Sequence, residues 1–407
     1  MNIGIFTDTY FPQINGVATS SLVLKKQLEK LGHKVYIFTT ADSEAEEDST
    51  VFRVPGIPLS FLPTHRLALL PPPRLLLKIR ELDLDIVHTQ SEFSMGILGH
   101  FVAKACDIPH VHTFHTMYVH YVHYVANGNL ISPAMVKHFL RVFCNSADLI
   151  VAPNEKARDG LIDYGVKRPI RIIPTGIDFT PFTPDINSAD AVSELKADLG
   201  VPQDCPTVVT VGRLSKEKSA DVILNGFEKV LKAVPRARLI VVGGGPALED
   251  LQEQAVSLNI SDKVIFTGFV SWNDVGRYYQ LGDVFVSAST TETQGLTYFE
   301  AMAAHVPVAA KNDPSIHNLI ANRVTGFLFD KDEELPSLLC DVLADKAMRL
   351  SVSAAAYQSI RPLSAGNFGK SIARLYHEVI YCCPEPHRFS SPEVVCNVLY
   401  QKTKERT

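Results

Sequence analysis

The sequence predicts an α/β protein built from two doubly wound parallel-sheet domains. Three observations predict it. A length of 407 residues is too great for one small core. Short strands rich in Ile, Val and Phe alternate with helical patterns in both halves. A polar, proline-punctuated stretch near Thr180 separates the two runs.

In the first half, "NIGIFTD", "KVYIFTT", "DIVHTQ", "HVHTFHT", "LIVAP" and "IRIIPTG" read as strands. Between the first two, "VATSSLVLKKQLEKLG" sets Leu22, Val23 or Leu24, Leu28 and Leu31 at helical spacing, with lysines and a glutamate opposite. Such alternation gives a parallel sheet covered by helices on both faces. The N-terminal domain is therefore assigned to residues 1–180. The stretch "TPFTPDINSADAVSELKADLGVPQDCP" reads as a junction, assigned to 181–205. A second domain, 206–362, carries "TVVTVGR", "RLIVVGGG", "KVIFTGFV", "DVFVSAS", "VPVAAK" and "TGFLFD". After Asp330 the chain turns mostly helical. Its last helix, within 363–407 and containing "FGKSIARLYHEVIYCC", is expected to pack back toward the N-terminal domain ahead of a polar tail.

The apolar fraction of 46% and the net charge of −5 suit a soluble globular protein and do not point to nucleic acid. Seven cysteines, odd in number and without a C-x-x-C pair, suggest neither a disulfide framework nor a zinc cage, and a reducing cytoplasm fits. The N-terminal "MNIGIFTDTYFP" lacks a basic leader and runs straight into a strand, so no signal peptide is expected. No uninterrupted apolar run reaches the ~18 residues of a spanning helix. Work at a membrane would be done from its surface.

Ligands of open α/β sheets collect beyond the carboxyl ends of the strands, and two facing domains would form a cleft there. The informative residues should follow strands. "VGRLSKEKS" delivers Arg213 and Lys218 in a loop that opens a helix. Arg by bidentate pairing and Lys as a mobile charge can neutralise a diphosphate. Alone, these charges read as an ordinary solvated loop. "VVGGGPALED" is not the G-x-G-x-x-G fingerprint, and Gly243 to Gly245 report a tight turn with close backbone approach. In "STTETQGLTYFEAMAA", Glu292 precedes a helix that carries Glu300. The backbone N–H groups around Gly295 and Leu296 would sit at that helix N-terminus, where the dipole favours a phosphate. Glu300 could hold vicinal ribose hydroxyls, while Glu292 meets a sugar hydroxyl or developing positive charge. The spacing alone is weak, since acids are common at helix starts.

The ordered combination is more specific. "QINGV", "GRLSKEKS" and the E-x7-E of "ETQGLTYFE" resemble the retaining nucleotide-sugar glycosyltransferases of family four, over nearly the whole chain to about residue 380. The resemblance implies the GT-B architecture of two facing Rossmann-like domains. It implies Arg213 and Lys218 on the donor diphosphate, Glu300 on the ribose, and Glu292 on the transferred sugar beside the Gly295 and Leu296 backbone. It implies close donor approach at Gly16, and His115 of "HTFHT" at the reacting end of the sugar. "IGIFTDTYFPQINGVATS", "HTFHTMY…YVHYVA" and "ETQGLTYFEAMA" look narrower still, like bacterial diacylglycerol glucosyltransferases. Where those relatives usually carry an acidic pair after "HTMY", this chain has Val119 and His120, a departure on the acceptor side.

Independently, "PTHRLALLPPPRLLLKIRE" interleaves Arg66, Arg74, Lys78 and Arg80 with leucines, the prolines limiting its helix to a start near Pro73. "PAMVKHFLRVFCNSAD" adds Lys137 and Arg141 beside Met135, Val136, Phe139, Leu140 and Phe143. Basic amphipathic segments are drawn to anionic lipid, although most amphipathic helices simply pack on a core. The run His110, His112, His115, His120 and His123 tempts a metal reading, but no cysteine or carboxylate completes a set in the sequence nearby, and no metal site is expected.

The resemblance thus implies a retaining hexosyltransferase that moves glucose from UDP-glucose to 1,2-diacylglycerol, with no cofactor beyond the nucleotide-sugar co-substrate. Its partners would be the nucleotide sugar, a lipid acceptor and an anionic membrane surface. It would be cytoplasmic and peripheral on the inner face. The alternatives are a same-fold transferase acting on a soluble or already glycosylated acceptor, or a non-catalytic nucleotide-sugar-binding protein.

Overall fold

A first strand buried on both faces organises the N-terminal half. In the computed structural model, which describes all residues except 14, 60–61, 69–72, 117–131, 185–186, 272–273, 293 and 383–407, and the backbone alone at 58–59, 62–67, 73 and 382, strand β1 spans Asn2–Phe6. Ile3 and Ile5 point to one face of the sheet and Phe6 to the other.

Strand β1 lies in a seven-stranded sheet with β2 (Lys34–Thr40), β3 (Val51–Val54), β6 (Ile86–Thr89), β7 (His110–Thr113), β8 (Leu149–Ala152) and β9 (Ile170–Ile172). The order is β3-β2-β1-β6-β7-β8-β9, and every pairing is parallel. The short β3 was not evident in the sequence. It is an edge strand paired only with β2, so its side chains need not show the apolar run of a central strand. Strands β4 (Gly56–Leu59) and β5 (Leu62–Ala68) form a separate antiparallel hairpin.

Helices cover both faces. Helix α1 (Gly16–Lys30) packs against β2, and Leu24 and Leu28 join Ile3, Ile5, Val35 and Ile37 in one core layer. Helices α2 (Pro73–Glu81) and α3 (Ser94–Cys106) cover the other face, where Phe6 stacks on Phe38 with ring centroids 4.4 Å apart. Each fully buried ring of this kind contributes about 1.5–3 kcal/mol. Helices α4 (Pro133–Ser146) and α5 (Glu155–Asp163) flank β8.

The second half holds a six-stranded parallel sheet of order β12-β11-β10-β13-β14-β15. Its strands are β10 (Thr207–Val211), β11 (Arg238–Val242), β12 (Val264–Gly268), β13 (Val284–Ser287), β14 (Val308–Lys311) and β15 (Phe327–Phe329). Helices α6 (Ala189–Asp198), α7 (Ala220–Ala233), α8 (Leu248–Ser257), α9 (Val275–Gln280), α10 (Leu296–Ala303), α11 (Leu335–Ala344) and α12 (Lys346–Ile360) surround it. At the end of β11, Gly243 has φ +128°, and a Cβ there would lie 2.0 Å from the Gly212 carbonyl oxygen. Only glycine permits that approach.

The final helix α13 (Ala365–Cys382) places Phe368, Ile372, Leu375, Tyr376 and Val379 in the core layer of β1, β2 and α1. Their spacing is that of one helix face. Two compact units result: Met1–Gly176 with the chain from Ala365, and Ile177–Ser364. Within the stretch expected as a junction, Phe182, Val201 and Cys205 are buried in a core of the second unit, and α6 packs partly buried Val192 and Leu195 against it.

Candidate functional site

In the second unit β10 and β13 are neighbours at the centre of the sheet, while the chain continues to β11 on one side and β14 on the other. Loops leaving two such strands diverge and open a crevice at their carboxyl ends. Arg213 and Lys218 lie in the loop after β10; Glu292 lies in the loop after β13.

Two backbone anchors join these loops. Ser289 Oγ and Thr291 Oγ1 both donate to the carbonyl of Glu217, at 3.4 and 3.2 Å. Across the same junction Lys218 Nζ meets Glu292 Oε1 at 2.5 Å. Glu292 is largely buried, and Lys218 less so. Arg213 is exposed and makes no ion pair among the described residues. Neither the serine nor the threonine stood out in the sequence, because their partner is a backbone carbonyl that no side-chain pattern announces.

Glycine 295 opens α10 with φ 74°, and no side chain caps that helix start. The first-turn N–H groups, beginning at Leu296, have no side-chain cap, and such a helix end can accept an anion. One turn further, Glu300 accepts a hydrogen bond from Tyr279 Oη at 2.6 Å. Burial pushes the Glu300 carboxyl up to about 7, with the tyrosine bond pulling the other way. Tyr279 is wholly buried, packed edge-on against Phe182 and close to Phe285. Its role was illegible in the sequence, where it reads as one more aromatic in a short helix.

In the first unit, Gly16 is the exposed first residue of α1, behind an Asn15 cap whose Oδ1 accepts from the Ala18 N–H at 2.9 Å. His115 follows β7. Its Nε2 lies 2.7 Å from Gln90 Oε1. Burial, reinforced by neighbouring His112, takes its pKa down to about 3, so the imidazole is neutral. His110 and His112 both bond to Thr89 Oγ1, at 2.9 Å each, and His112 Nε2 lies 3.3 Å from the buried Glu92. The carboxylate near these histidines comes from the loop after β6, which the local sequence around "HVHTFHT" did not reveal. Among the described residues no group of three or more His, Cys, Asp or Glu could hold a metal. Val119, His120 and His123 lie outside the described residues.

The basic segments separate into different elements. Arg66 lies on β5, paired in register with Pro58, so it does not continue the helix that carries Arg74, Lys78 and Arg80. That helix, α2, begins at Pro73 and buries Leu75 and Ile79 while exposing Leu77. On α4, Met135, Phe139 and Val142 are exposed in one stripe, with exposed Lys137 and Arg141 beside it. Among the described residues no helix is long and apolar enough to cross a membrane.

Arg213, Lys218, Glu292, Gly295, Leu296 and Glu300 thus all belong to the second unit, whereas Gly16 and His115 belong to the first. Comparison with known proteins gives the context. The profile described as Glycosyltransferase Family 4 matches residues 14–180, and that described as Glycosyl transferases group 1 matches 192–359. An alpha-monoglucosyldiacylglycerol synthase of Streptococcus pneumoniae is 41% identical over 383 residues, covering 93% of this chain and 86% of that protein. Its counterpart from Acholeplasma laidlawii is 37% identical over 389 residues, covering 93% and 98%. An Anabaena protein solved with UDP-glucose superposes with a TM-score of 0.72 at 19% identity, covering 92% of this chain and 98% of that one. That last likeness is one of fold.

Proposed function

The chain belongs to the family-four glycosyltransferases of GT-B fold, and from that premise we propose that it transfers glucose from UDP-glucose to 1,2-diacylglycerol with retention, giving α-glucosyldiacylglycerol. It is a nucleotide-sugar-dependent enzyme close to glycolipid synthases. The observation that carries the donor half is the meeting of Lys218, Glu292 and the uncapped start of α10 at the β10/β13 switch point.

Each group has a task in this reading. Arg213, Lys218 and the Leu296 end of α10 stabilise the departing diphosphate, where negative charge grows in the transition state. Glu300 accepts from the ribose hydroxyls, and Glu292 from a hydroxyl of the transferred sugar. His115, neutral, meets the reacting end of the sugar. The lipid hydroxyl attacks the anomeric carbon from the face that the nucleotide leaves, the bond from that carbon to the diphosphate oxygen breaks, and the hydroxyl proton passes to the departing diphosphate, so no carboxylate need form a covalent intermediate. No metal or cofactor enters the scheme.

The acceptor half draws on the similarity to two proteins named for glucosyldiacylglycerol synthesis. The exposed Met135, Phe139 and Val142 stripe beside Lys137 and Arg141 suits an anionic bilayer surface, with Arg74, Lys78 and Arg80 of α2 adding charge. We place the enzyme on the inner face of the cytoplasmic membrane.

The test is incubation of the purified protein with UDP-glucose and diacylglycerol in vesicles with and without anionic lipid, followed by mass spectrometry of the lipid fraction. A hexosylated diacylglycerol, formed faster with anionic lipid, is expected. UDP release without glycolipid would remove the acceptor and keep the donor.

A further inference from the structure

We propose that Gln90 is a positioning residue that fixes His115 in the tautomer carrying its proton on Nε2, leaving Nδ1 to accept a hydrogen bond from a substrate hydroxyl. The proposal rests on the reading of His115 above as a substrate-facing group.

Gln90 lies just past β6 and is 2% exposed. Its Oε1 accepts from His115 Nε2 at 2.7 Å, and its Nε2 donates to His88 Nε2 at 3.1 Å. A carboxamide has one accepting and one donating end, so the orientation required at one end dictates the chemistry at the other. His88 is fully buried and neutral, because burial lowers its pKa well below the ordinary histidine value. A neutral imidazole that accepts at Nε2 carries its proton on Nδ1. That proton is directed at Tyr376 Oη, 2.6 Å away on α13. Thr113 Oγ1, 2.7 Å from His88 Nε2, supports the same ring from β7.

With the Gln90 amide in this orientation, the relay Tyr376, His88, Gln90, His115 runs in one direction. His115 Nδ1 makes no hydrogen bond among the described residues, and the ring is only half-buried. A neutral, accepting nitrogen is held at the rim of the first unit, and the final helix of the chain contributes to fixing it. Tyr376 and His88 are 288 positions apart in sequence, so only the fold brings them together.

The experiment uses the full chain labelled with ¹⁵N-histidine, with the His115 resonances assigned by their loss in His115→Gln. Long-range ¹H–¹⁵N correlation at neutral pH should show His115 protonated on Nε2 and bare at Nδ1. In Gln90→Leu that preference should give way to a mixture. Its kcat for transfer should fall at least ~10-fold, within the range a positioned hydrogen-bonding or proton-transfer group supplies. The donor KM should move less than about twofold, because the diphosphate and ribose contacts are elsewhere. Gln90→Glu keeps an oxygen facing Nε2–H and should retain the tautomer and recover part of kcat.

A wild-type His115 protonated on Nδ1, or an unchanged tautomer in folded Gln90→Leu, overturns the proposal. Should Gln90→Leu not fold, Tyr376→Phe decides the matter: it deletes one hydroxyl, and an unaltered His115 tautomer there removes the relay. Because the spectrum needs no turnover, it separates this proposal from the reading beneath it. Wild-type-like transfer by His115→Ala would cancel the assigned role of His115, while the tautomer would still decide that of Gln90.

Discussion

Lys218 Nζ and Glu292 Oε1 lie 2.5 Å apart, joining the loop after β10 to the loop after β13. In the proposed donor site this ion pair would hold the two charged groups against each other. A diphosphate entering at α10 would compete with Glu292 for the lysine, which leaves the carboxylate available to a sugar hydroxyl.

Lys218→Ala and Arg213→Ala should each lower kcat by about 10²–10³, the usual cost of removing a group aimed at developing charge. Arg213→Ala should change stability by no more than about 1 kcal/mol, since the arginine is exposed, whereas Lys218→Ala leaves the largely buried Glu292 without its lysine and should cost about 1–3 kcal/mol. UDP release, glycolipid formation and thermal melting measured on the same samples check this. Wild-type-like turnover in both variants would remove the leaving-group assignment.

Donor binding should strengthen as pH rises through about 7, where the Glu300 carboxyl ionises in the free protein. The carboxylate accepts ribose hydroxyls; the protonated acid does so less well. Tyr279→Phe deletes the bond that pulls this pKa down, so its binding profile should move to higher pH. UDP titrations across the range, by calorimetry, would read both shifts. The linked stability term has the opposite sense. The unfolded carboxyl ionises near 4.5, so the folded protein holds the extra proton between about 4.5 and 7, and this contribution is lost as pH rises through that window.

Gly295→Ala should impair both folding and donor affinity. The residue has φ 74°, and a Cβ would lie 2.4 Å from the Tyr298 ring. Left-handed backbone alone costs an alanine about 1–2 kcal/mol, and the clash requires Tyr298 or the start of α10 to shift. Donor affinity should therefore fall further than the loss of melting temperature accounts for, a difference visible in UDP binding measured well below the melting transition.

Reversing the surface of α4 should release the protein from anionic vesicles. Each Lys or Arg near such a surface contributes about 1 kcal/mol, so Lys137→Glu with Arg141→Glu should abolish most co-sedimentation, and Phe139→Asp should remove the apolar part. UDP-glucose binding should be unchanged in these variants, because α4 carries none of the residues assigned to the donor. Equal vesicle binding by wild type and the double variant would dismiss α4 as the lipid-facing element.

Strand alternation, the helix faces and the glycine before α10 are local patterns, and they were legible because period two and period 3.6 are written into neighbouring residues. The six strands of the second sheet and the placing of Arg213, Lys218, Glu292 and Glu300 after strands or in the following helix follow from such patterns alone. The resemblance then supplied the chemistry that spacing left open. What only tertiary structure decided are the pairings between residues far apart in the chain. Glu300 with Tyr279, Lys218 with Glu292, and Gln90 between His88 and His115 each depend on which strands become neighbours. The return of the last helix toward the first unit was expected from the sequence, but the meeting of its Tyr376 with His88 of β6 was decided by tertiary structure. A side chain's hydrogen-bond partner and protonation are set by three-dimensional burial, which composition and periodicity do not encode residue by residue.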